Sequence, residues 1–383
     1  MVIGIDIRVL GTGRVSGIEE YTEQLLAHLL PLDGSVQWKL FFAGRHQLAR
    51  RPWMDLPNVS LYDARTSNRV LWARTWLTGR PHLDRLVGGA DAFFFPHFLL
   101  GELSSDCRRV MTWHDLSYER MPYLLSWHRR RWHDVQMRPR THARASDRVI
   151  AVSQATADDL VQLYGIPQER ISVVHSGIDP QLRRASEQDI ARWRERHGIV
   201  NPFILALGTR EPRKNLPALV RAWDALRRRG DMRRVDLVLV GQDGWLEGPL
   251  YEAIRTSKDP HRVRFVGPID AQDRACALSA ASVLAYPSLL EGFGFPPLEA
   301  MACGTPVVAS ATSSLIEVVG DAGILVDPYR VDGLAGALEA VLQDAGLRSR
   351  MAAKGYERAA RFTWSTAAER TLAVLRSVAE STT

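Results

Sequence analysis

The stretch EGFGFPPLEAMACGTPVVAS, residues 291–310, decides the fold prediction for this chain. It places two carboxylates, Glu291 and Glu299, eight positions apart across a glycine-rich turn. Apolar runs at residues 282–286 and 305–309 predict buried strands on either side of a loop and a short helix. Glu291 is therefore expected on the loop and Glu299 in the helix.

The turn itself has the composition of an anion site. Pro296 and Pro297 suit the first turn of a helix, where a missing N–H group is tolerated, and Gly304 suits its end. Gly292 and Gly294 let backbone N–H groups approach a ligand closely, and the helix N-terminus adds a positive field. We expect a diphosphate at this turn.

Four further segments give the stretch a context. They are LGTREPRKNL at 207–216, VMTWHDL at 110–116, the pair of segments 151–153 and 177–179, and EVVGDA at 317–322. With residues 291–310 they resemble, in order, the E-x7-E signature and flanking motifs of retaining glycosyltransferases of family four, including bacterial polysaccharide and O-antigen mannosyl- and rhamnosyltransferases. The resemblance spans roughly residues 1 to 375.

The strand pattern agrees with the fold that this resemblance implies. Strands and helices alternate along both halves of the chain, which predicts parallel sheets covered by helices. The predicted strands are 2–9, 38–42, 92–95, 109–112 and 149–152 in the first half, and 203–207, 235–240, 263–265, 283–286 and 307–309 in the second. The fold class is therefore α/β.

The resemblance implies GT-B architecture, in which two Rossmann-like domains face a central cleft. The predicted domains are an acceptor-binding domain at 1–180 and a nucleotide-sugar domain at 198–362. The C-terminal helix, within 363–383, is expected to return to the first domain.

Composition narrows the class of protein. The chain has 383 residues, 46% of them hydrophobic, which suits about two globular domains. Its three cysteines are far apart, so neither a disulfide framework nor a zinc cluster is indicated. The first ten residues carry Asp6 and Arg8 and do not form a signal-peptide core, and no apolar run is long enough to span a bilayer. We expect a cytoplasmic protein, at the inner face of the plasma membrane if it binds lipid.

The charge is unevenly placed. Lys and Arg exceed Asp and Glu by 49 to 43, a net charge of +6, which favours anionic partners. Residues 120–148 hold eight arginines with Trp127 and Trp132. Such a segment suits an anionic membrane surface, and the alternative is a solvated helical face. A nucleic-acid partner is not expected, because no recognition motif accompanies the arginines.

The N-terminal turn, residues 11–17, follows a strand and invites a dinucleotide interpretation. The G-x-G-x-x-G spacing is missed by one position, and no acidic residue ends a second strand at the required distance, which argues against NAD. By resemblance, Gly17 approaches the donor diphosphate. A tight turn without a ligand is the alternative.

Two cations follow a predicted strand at its carboxyl end. Lys214 and Arg213 would stabilise the charge that develops on a departing diphosphate, so no metal ion or other cofactor is expected. The resembled family often has an arginine where this chain has Thr209, and Arg210 is the candidate replacement. A solvated loop pair is the alternative.

The two glutamates are expected to bind hydroxyl groups, because a carboxylate only accepts hydrogen bonds. By resemblance Glu291 contacts the transferred sugar and Glu299 the ribose, with Gly292, Phe293 and Gly294 completing the donor site. A glycosidase acid/base pair is not predicted, since a nucleoside diphosphate leaves without a proton donor. Glu299 as a helix-capping residue is the alternative. Gly267 and Ile269 are expected to lie under the nucleotide base of the donor.

Histidines end two strands of the first half. By resemblance His114 becomes a neutral ligand of the donor sugar. Asp115 would orient it or bind the acceptor, and His97 would line the acceptor cleft or only pack.

The predicted function is transfer of a hexose, with mannose from GDP-mannose favoured over a UDP- or dTDP-sugar, to a glycan or lipid-linked acceptor of a cell-surface polysaccharide. The predicted catalytic residues are His114, Glu291, Lys214 and Arg213. A non-catalytic nucleotide-sugar or membrane-binding module and a nucleotide-sugar epimerase are the alternatives.

Overall fold

The computed structural model describes residues 1–11, 17–44, 48–228 and 230–380. It divides into two compact units. The N-terminal unit comprises Met1–Gly177 and the chain from Thr363 onward, and the C-terminal unit comprises Ile178–Phe362.

The N-terminal unit is built on a seven-stranded parallel sheet. Its strands are β1 Val2–Asp6, β2 Gln37–Phe42, β3 Val59–Asp63, β4 Ala92–Phe95, β5 Arg108–Trp113, β6 Arg148–Ala151 and β7 Ile171–Val173. They lie in the order β3-β2-β1-β4-β5-β6-β7. The central strands are apolar along their length, and all four residues of β4 are buried, as expected for a sheet covered on both faces.

The C-terminal unit is built on a six-stranded parallel sheet. Its strands are β8 Phe203–Leu207, β9 Asp236–Val240, β10 Val263–Gly267, β11 Val283–Tyr286, β12 Val307–Ser310 and β13 Ile324–Val326. They lie in the order β10-β9-β8-β11-β12-β13. The predicted class of two parallel α/β sheets is confirmed.

The two sheets share one winding pattern. In each, the chain moves outward on one side of the first strand and then returns to continue on the other side. The order therefore reverses between β1 and β4 in one sheet and between β8 and β11 in the other. Ligands of open α/β sheets bind beyond the carboxyl ends of the strands at such a reversal. We call these places the N-terminal and C-terminal switch points.

Helices connect the strands. They are α1 Gly17–Leu29, α2 Asn68–Thr78, α3 Leu83–Leu86, α4 Ser117–Arg120, α5 Trp127–Arg131, α6 Pro139–Ala145, α7 Gln154–Asp159, α8 Glu187–Arg196, α9 Leu216–Arg227, α10 Gly248–Thr256, α11 Ala271–Ala280, α12 Phe295–Ala302, α13 Ser314–Val319, α14 Val331–Gln343, α15 Ala345–Ala359 and α16 Trp364–Ala379. Among the helices of these described residues, none combines the length and apolar content needed to cross a bilayer.

Helix α9 fixes one wall of the C-terminal switch point. Its apolar residues recur at helical spacing, and Leu219, Val220 and Trp223 are fully buried against the sheet. The helix starts after Asn215, whose backbone is left-handed and whose side-chain amide donates to the Pro328 carbonyl at 2.9 Å. The preceding loop, which carries the predicted cations, is thereby anchored at its end.

The last helix, α16, packs against α1 within the N-terminal unit. Its first residue, Trp364, is buried and meets the ring of Tyr21 edge-on at 5.6 Å. Helix α8 belongs to the C-terminal unit, where it packs against α11.

The observed strands differ from the predicted ones at their ends and at the sheet edges. The first strand ends at Asp6 and not at Val9, because the Asp6 carboxylate accepts from the Arg8 backbone N–H at 3.0 Å and a 3-10 turn follows. Sequence reasoning missed β3, β7 and β13. These are edge strands, and most side chains of β3 are exposed, so they lack the buried apolar run that marks a central strand.

Candidate active site

A pocket lies at the C-terminal switch point. The loops after β8 and β11 contribute much of its wall, including Gly208, Thr209, Lys214, Tyr286, Pro287 and Ser288. At Gly208 the backbone has φ +137, and a side chain would contact Lys214 Cε at 3.4 Å. The positive φ therefore favours glycine at this position, next to the lysine in the pocket wall.

Lys214 and Arg213 both contact Glu291 in this region. Lys214 Nζ donates to one carboxylate oxygen at 2.7 Å, and Arg213 Nη1 donates to the other at 2.6 Å. The side chains are largely buried, with exposed fractions of 12% for Lys214, 18% for Arg213 and 8% for Glu291. Three of the four predicted catalytic residues thus meet, while His114 lies in the N-terminal unit. We call these three residues the Glu291 cluster.

The Glu291 carboxylate is held in its ionised form. Burial alone raises its pKa, but the charges of Arg213 and Lys214 and their hydrogen bonds outweigh burial and bring the pKa to about 2. At neutral pH the group therefore accepts hydrogen bonds and donates none.

Two side chains that sequence reasoning missed extend the cluster. Lys214 Nζ donates to the Tyr286 hydroxyl at 2.6 Å, and Arg213 Nη2 donates to a Glu211 carboxylate oxygen at 2.5 Å. Burial, together with the charge of Glu291, raises the pKa of Tyr286 well above its ordinary value, so the phenol stays protonated. A signal for Tyr286 was present, because it is the last residue of a predicted strand and such residues lie at the carboxyl edge of a sheet.

The glycine-rich turn after Glu291 has the predicted local structure. Gly294 has φ +105, which favours glycine, and a Cβ there would lie 2.8 Å from Leu315 Cδ2, so a side chain would also displace Leu315. Helix α12 begins directly after it, with Pro296 and Pro297 in its first turn. The anion expected at this turn remains a prediction.

A serine pair after β12 fixes the backbone of the turn. Ser313 Oγ accepts from the Glu291 N–H at 2.9 Å. Ser314 Oγ donates toward the carbonyls of Glu291 and Phe293, at 2.9 and 2.8 Å. Sequence reasoning missed both serines, although their position shortly after a predicted strand placed them at the carboxyl edge.

Glu299 is the fifth residue of α12 and is buried. Its carboxylate accepts from Arg274 Nη1 of α11 at 2.7 Å. The predicted ribose ligand is thus engaged in an ion pair between two helices. This contact also differs from the helix-capping alternative, which places the carboxylate on the backbone of the first turn.

The other predicted donor residues lie around the same edge of the sheet. Thr209 and Arg210 line the pocket. Arg210 Nε donates to Glu247 at 2.9 Å, and the guanidinium also contacts Asp243. Arg210 is therefore paired with two carboxylates that lie outside the Glu291 cluster.

The residues predicted to lie under the base follow the neighbouring strand. Gly267 ends β10, and its carbonyl accepts from the Gly241 N–H at 2.8 Å. Ile269 is half-buried in the loop that follows. Phe293 is buried and meets the ring of Phe295 edge-on at 5.2 Å.

His114 is held as a neutral ring in the N-terminal unit. Its Nε2–H donates to the Pro96 carbonyl at 2.8 Å, and Tyr21 meets the ring edge-on at 4.7 Å. Burial lowers its pKa to about 4, so the ring is uncharged at neutral pH. Because a carbonyl only accepts, this tautomer carries its lone pair on Nδ1, which can accept from a sugar hydroxyl.

The remaining predicted residues of this unit lie on two loops and one helix. Asp115 Oδ1 accepts from the Ser117 N–H and hydroxyl at 2.9 and 2.7 Å, so the contact that orients His114 comes from Pro96. His97 packs against Phe98, with ring centroids 4.5 Å apart. Gly17 is the exposed first residue of α1. The rest of its turn, residues 12–16, lies outside the described residues.

The arginine-rich segment exposes aromatic side chains. Trp127 is 65% exposed, Trp132 is 43% exposed, and Tyr123 beside them is 68% exposed. Among the described residues there is no group of three or more His, Cys, Asp or Glu side chains arranged to hold a metal ion.

Two family models match the chain in succession. The model described as Glycosyltransferase Family 4 matches residues 15–182, and the model described as Glycosyl transferases group 1 matches residues 189–358. Together they account for most of both units.

Curated relatives and solved structures agree with these matches. The O-antigen chain mannosyltransferase B of Escherichia coli is 29% identical over 85% of this chain and 80% of its own length. A D-inositol 3-phosphate glycosyltransferase of Kribbella flavida is 35% identical over 62% of this chain, which spans 58% of that protein. The structure of Anabaena HepE in complex with UDP and glucose superposes with a TM-score of 0.72 at 20% identity, over 98% of this chain and 100% of that chain.

Proposed function

Because this chain belongs to glycosyltransferase family four and is a hexosyltransferase with the GT-B fold, we propose that it transfers mannose from GDP-mannose to a glycan or lipid-linked acceptor in O-antigen or related cell-surface polysaccharide synthesis. We further propose that transfer retains the anomeric configuration and needs no metal ion. The similarity to the E. coli O-antigen chain mannosyltransferase supports the choice of mannose.

The observation that carries the proposal is the Glu291 cluster at the C-terminal switch point. Arg213 and Lys214 place two positive charges, largely shielded from water, where an open α/β sheet binds nucleotides. Electrostatic stabilisation is strongest in such a site, and it acts where charge develops on the departing diphosphate. These two cations supply the role that a divalent metal would otherwise have.

The proposed chemistry is displacement on one face of the sugar. The bond from C1 to the β-phosphate oxygen breaks while C1 bonds to the acceptor hydroxyl oxygen on the same side. The hydroxyl proton passes to an oxygen of the leaving phosphate, so the protein need not supply a base. Neutral His114 would accept a hydrogen bond from a sugar hydroxyl through Nδ1, and ionised Glu291 would accept another.

Glu299 has a more limited part in the proposal. The ion pair with Arg274 fixes its orientation and still leaves the carboxylate capacity to accept from ribose hydroxyls. We also propose that the nucleotide part of the donor is contacted by Gly17, Thr209, Arg210, Gly267 and Ile269.

The acceptor side of the proposal includes a membrane. Exposed Trp127 and Trp132 lie in a segment with eight arginines, a combination suited to anionic headgroups. A lipid-linked acceptor would be presented at that surface. Vesicles with and without anionic lipid, compared by co-sedimentation, test this part alone.

The deciding experiment is thermal stabilisation of the purified protein by GDP-, UDP-, dTDP- and ADP-sugars in the presence of EDTA. A ligand that binds the native state raises its apparent stability by mass action. We expect a selective shift with GDP-mannose, followed by mannosyl transfer whose α-product is identified by NMR. A shift with another donor would replace mannose, and a requirement for added metal would overturn the metal-independent mechanism. Conversion of the donor sugar without any acceptor would favour an epimerase.

A further inference from the structure

Tyr286 contacts the lysine of the Glu291 cluster through its hydroxyl group. Its hydroxyl accepts from Lys214 Nζ at 2.6 Å, and the ammonium also lies 4.7 Å from the centre of the Tyr286 ring. The side chain is only 3% exposed. Lys214 is therefore held by two oxygen acceptors, Glu291 and the Tyr286 hydroxyl.

The hydrogen bonds of the Lys214 ammonium fix the direction of its remaining N–H group. A lysine ammonium has three N–H donors. Glu291 takes one at 2.7 Å and Tyr286 takes another at 2.6 Å. With two donors fixed by groups on β11 and its following loop, the third has a defined direction, and Lys214 lines the pocket at the switch point.

We propose that Tyr286 is a positioning residue, which aims the third N–H of Lys214 at an oxygen of the departing diphosphate. This inference rests on the proposed function of the Glu291 cluster. An unconstrained lysine side chain samples many rotamers, and fixing it in advance removes that entropy cost from the reaction. The directed N–H group stabilises the leaving oxygen most when that oxygen gains charge. Tyr286 is therefore expected to affect kcat more than donor binding.

The test is Tyr286→Phe, which keeps the ring and removes only the hydroxyl. We expect kcat to fall about tenfold, while the KM for the donor changes less than about threefold. The affinity for GDP, measured by calorimetry, is expected to fall by a similar factor of about ten, because free GDP carries the full charge of the leaving group.

The matched control is Tyr164→Phe, a buried tyrosine in the N-terminal unit whose hydroxyl bonds Tyr118 and Glu119. It should leave kcat and GDP affinity unchanged.

A double-variant cycle distinguishes positioning from packing. If Tyr286 acts only through Lys214, adding Tyr286→Phe to Lys214→Ala lowers kcat no further. An equal tenfold loss in both backgrounds would overturn the proposal, as would unchanged kcat and GDP affinity in Tyr286→Phe. The proposed function fails separately: if wild-type protein transfers no hexose, GDP affinity in the same four variants still decides whether Tyr286 positions Lys214.

Discussion

Both switch points carry a buried ion pair, but the two pairs are built differently. At the N-terminal switch point Asp6 and Arg8 are two positions apart, and both are at most 4% exposed. Arg8 also donates to the Leu100 carbonyl at 3.0 Å, which ties the loop after β4 to the loop after β1. At the C-terminal switch point Glu291 joins the loop after β11 to cations on the loop after β8, beside a pocket.

The difference indicates what each pair does. Asp6 and Arg8 form a pair within a single turn and brace two loops, which is a structural role. The Glu291 cluster spans two loops, and its cations retain exposed fractions of 12% and 18%, so a ligand can reach them. The same sheet topology thus supports a brace at one switch point and, in the proposed function, a charged binding site at the other.

The largest expected effect comes from removing a cation of the Glu291 cluster. Lys214→Ala should lower kcat/KM for transfer by about 10²–10³-fold, because it removes a donor to charge that develops in the transition state. Steady-state transfer assays with the preferred donor measure it. Lys258→Ala is the matched control, since Lys258 is exposed and lies outside the cluster. Full activity in Lys214→Ala would end the assignment of this switch point as the catalytic one.

The structural pair should show the opposite pattern. Asp6→Asn leaves the buried Arg8 charge without its carboxylate and should lower the free energy of unfolding by about 3 kcal/mol, with kcat of the folded enzyme retained. Asp55→Asn, which breaks the exposed pair with Arg50, should change stability by less than about 0.5 kcal/mol. Denaturant unfolding and transfer assays on the same samples measure both quantities. A loss of kcat without a loss of stability in Asp6→Asn would erase the distinction between the two pairs.

His114 of the N-terminal unit and Glu291 of the C-terminal unit should make the free energy of unfolding fall in different pH ranges. The pKa of His114 is about 4 against an ordinary 6.5, so the unfolded state binds more protons between these values and stability falls as the pH drops from 6.5 to 4. The pKa of Glu291 is about 2 against 4.5, so its contribution is lost from pH 4.5 down to 2. Each change in the free energy of unfolding is roughly 3–4 kcal/mol.

Calorimetry of variants against pH separates these contributions. His114→Asn should flatten the wild-type slope between pH 6.5 and 4, and Glu291→Gln should flatten it between 4.5 and 2. Burial also lowers the pKa of His142, to about 3, so its range overlaps and each variant is compared with wild type. An unchanged slope in His114→Asn would mean that the ring is not held neutral by burial.

The sequence predicted the parts of the fold and site that depend on local pattern. The central strands, the start of α12 after Gly294 and the position of Lys214 at a strand's carboxyl end all follow from short-range signals. Edge strand β3 was not predicted, because it lacks a buried face. The short edge strand β13 was not predicted for the same reason.

The partners of the predicted residues could not be read from sequence. Tyr286 and Lys214 are 72 positions apart, and Arg274 and Glu299 are 25 apart. Nothing in the periodicity of either segment encodes these contacts, which the winding of the sheet brings about. The pairing of Arg210 with Asp243 and Glu247 depends likewise on the neighbouring loop after β9.

The smallest expected effect concerns the backbone strain beside Glu291. Ser313 has φ +46 and ψ −139, a conformation that a residue with a side chain seldom adopts and that is held here beside the Glu291 N–H. Ser313→Gly relieves the strain and loses the hydroxyl, so stability should stay within about 1 kcal/mol of wild type, whereas Ser313→Ala keeps the strain and should be less stable than the glycine variant by about 1 kcal/mol. Both lose the acceptor for the Glu291 N–H and should lower kcat by the same small factor, about two- to fivefold. Thermal unfolding and transfer assays on the two variants therefore separate strain from hydrogen bonding. If kcat followed stability across the pair, the strained loop and not the Ser313 hydroxyl would be what holds Glu291 toward the donor, and the C-terminal switch point would share the bracing character of the N-terminal one.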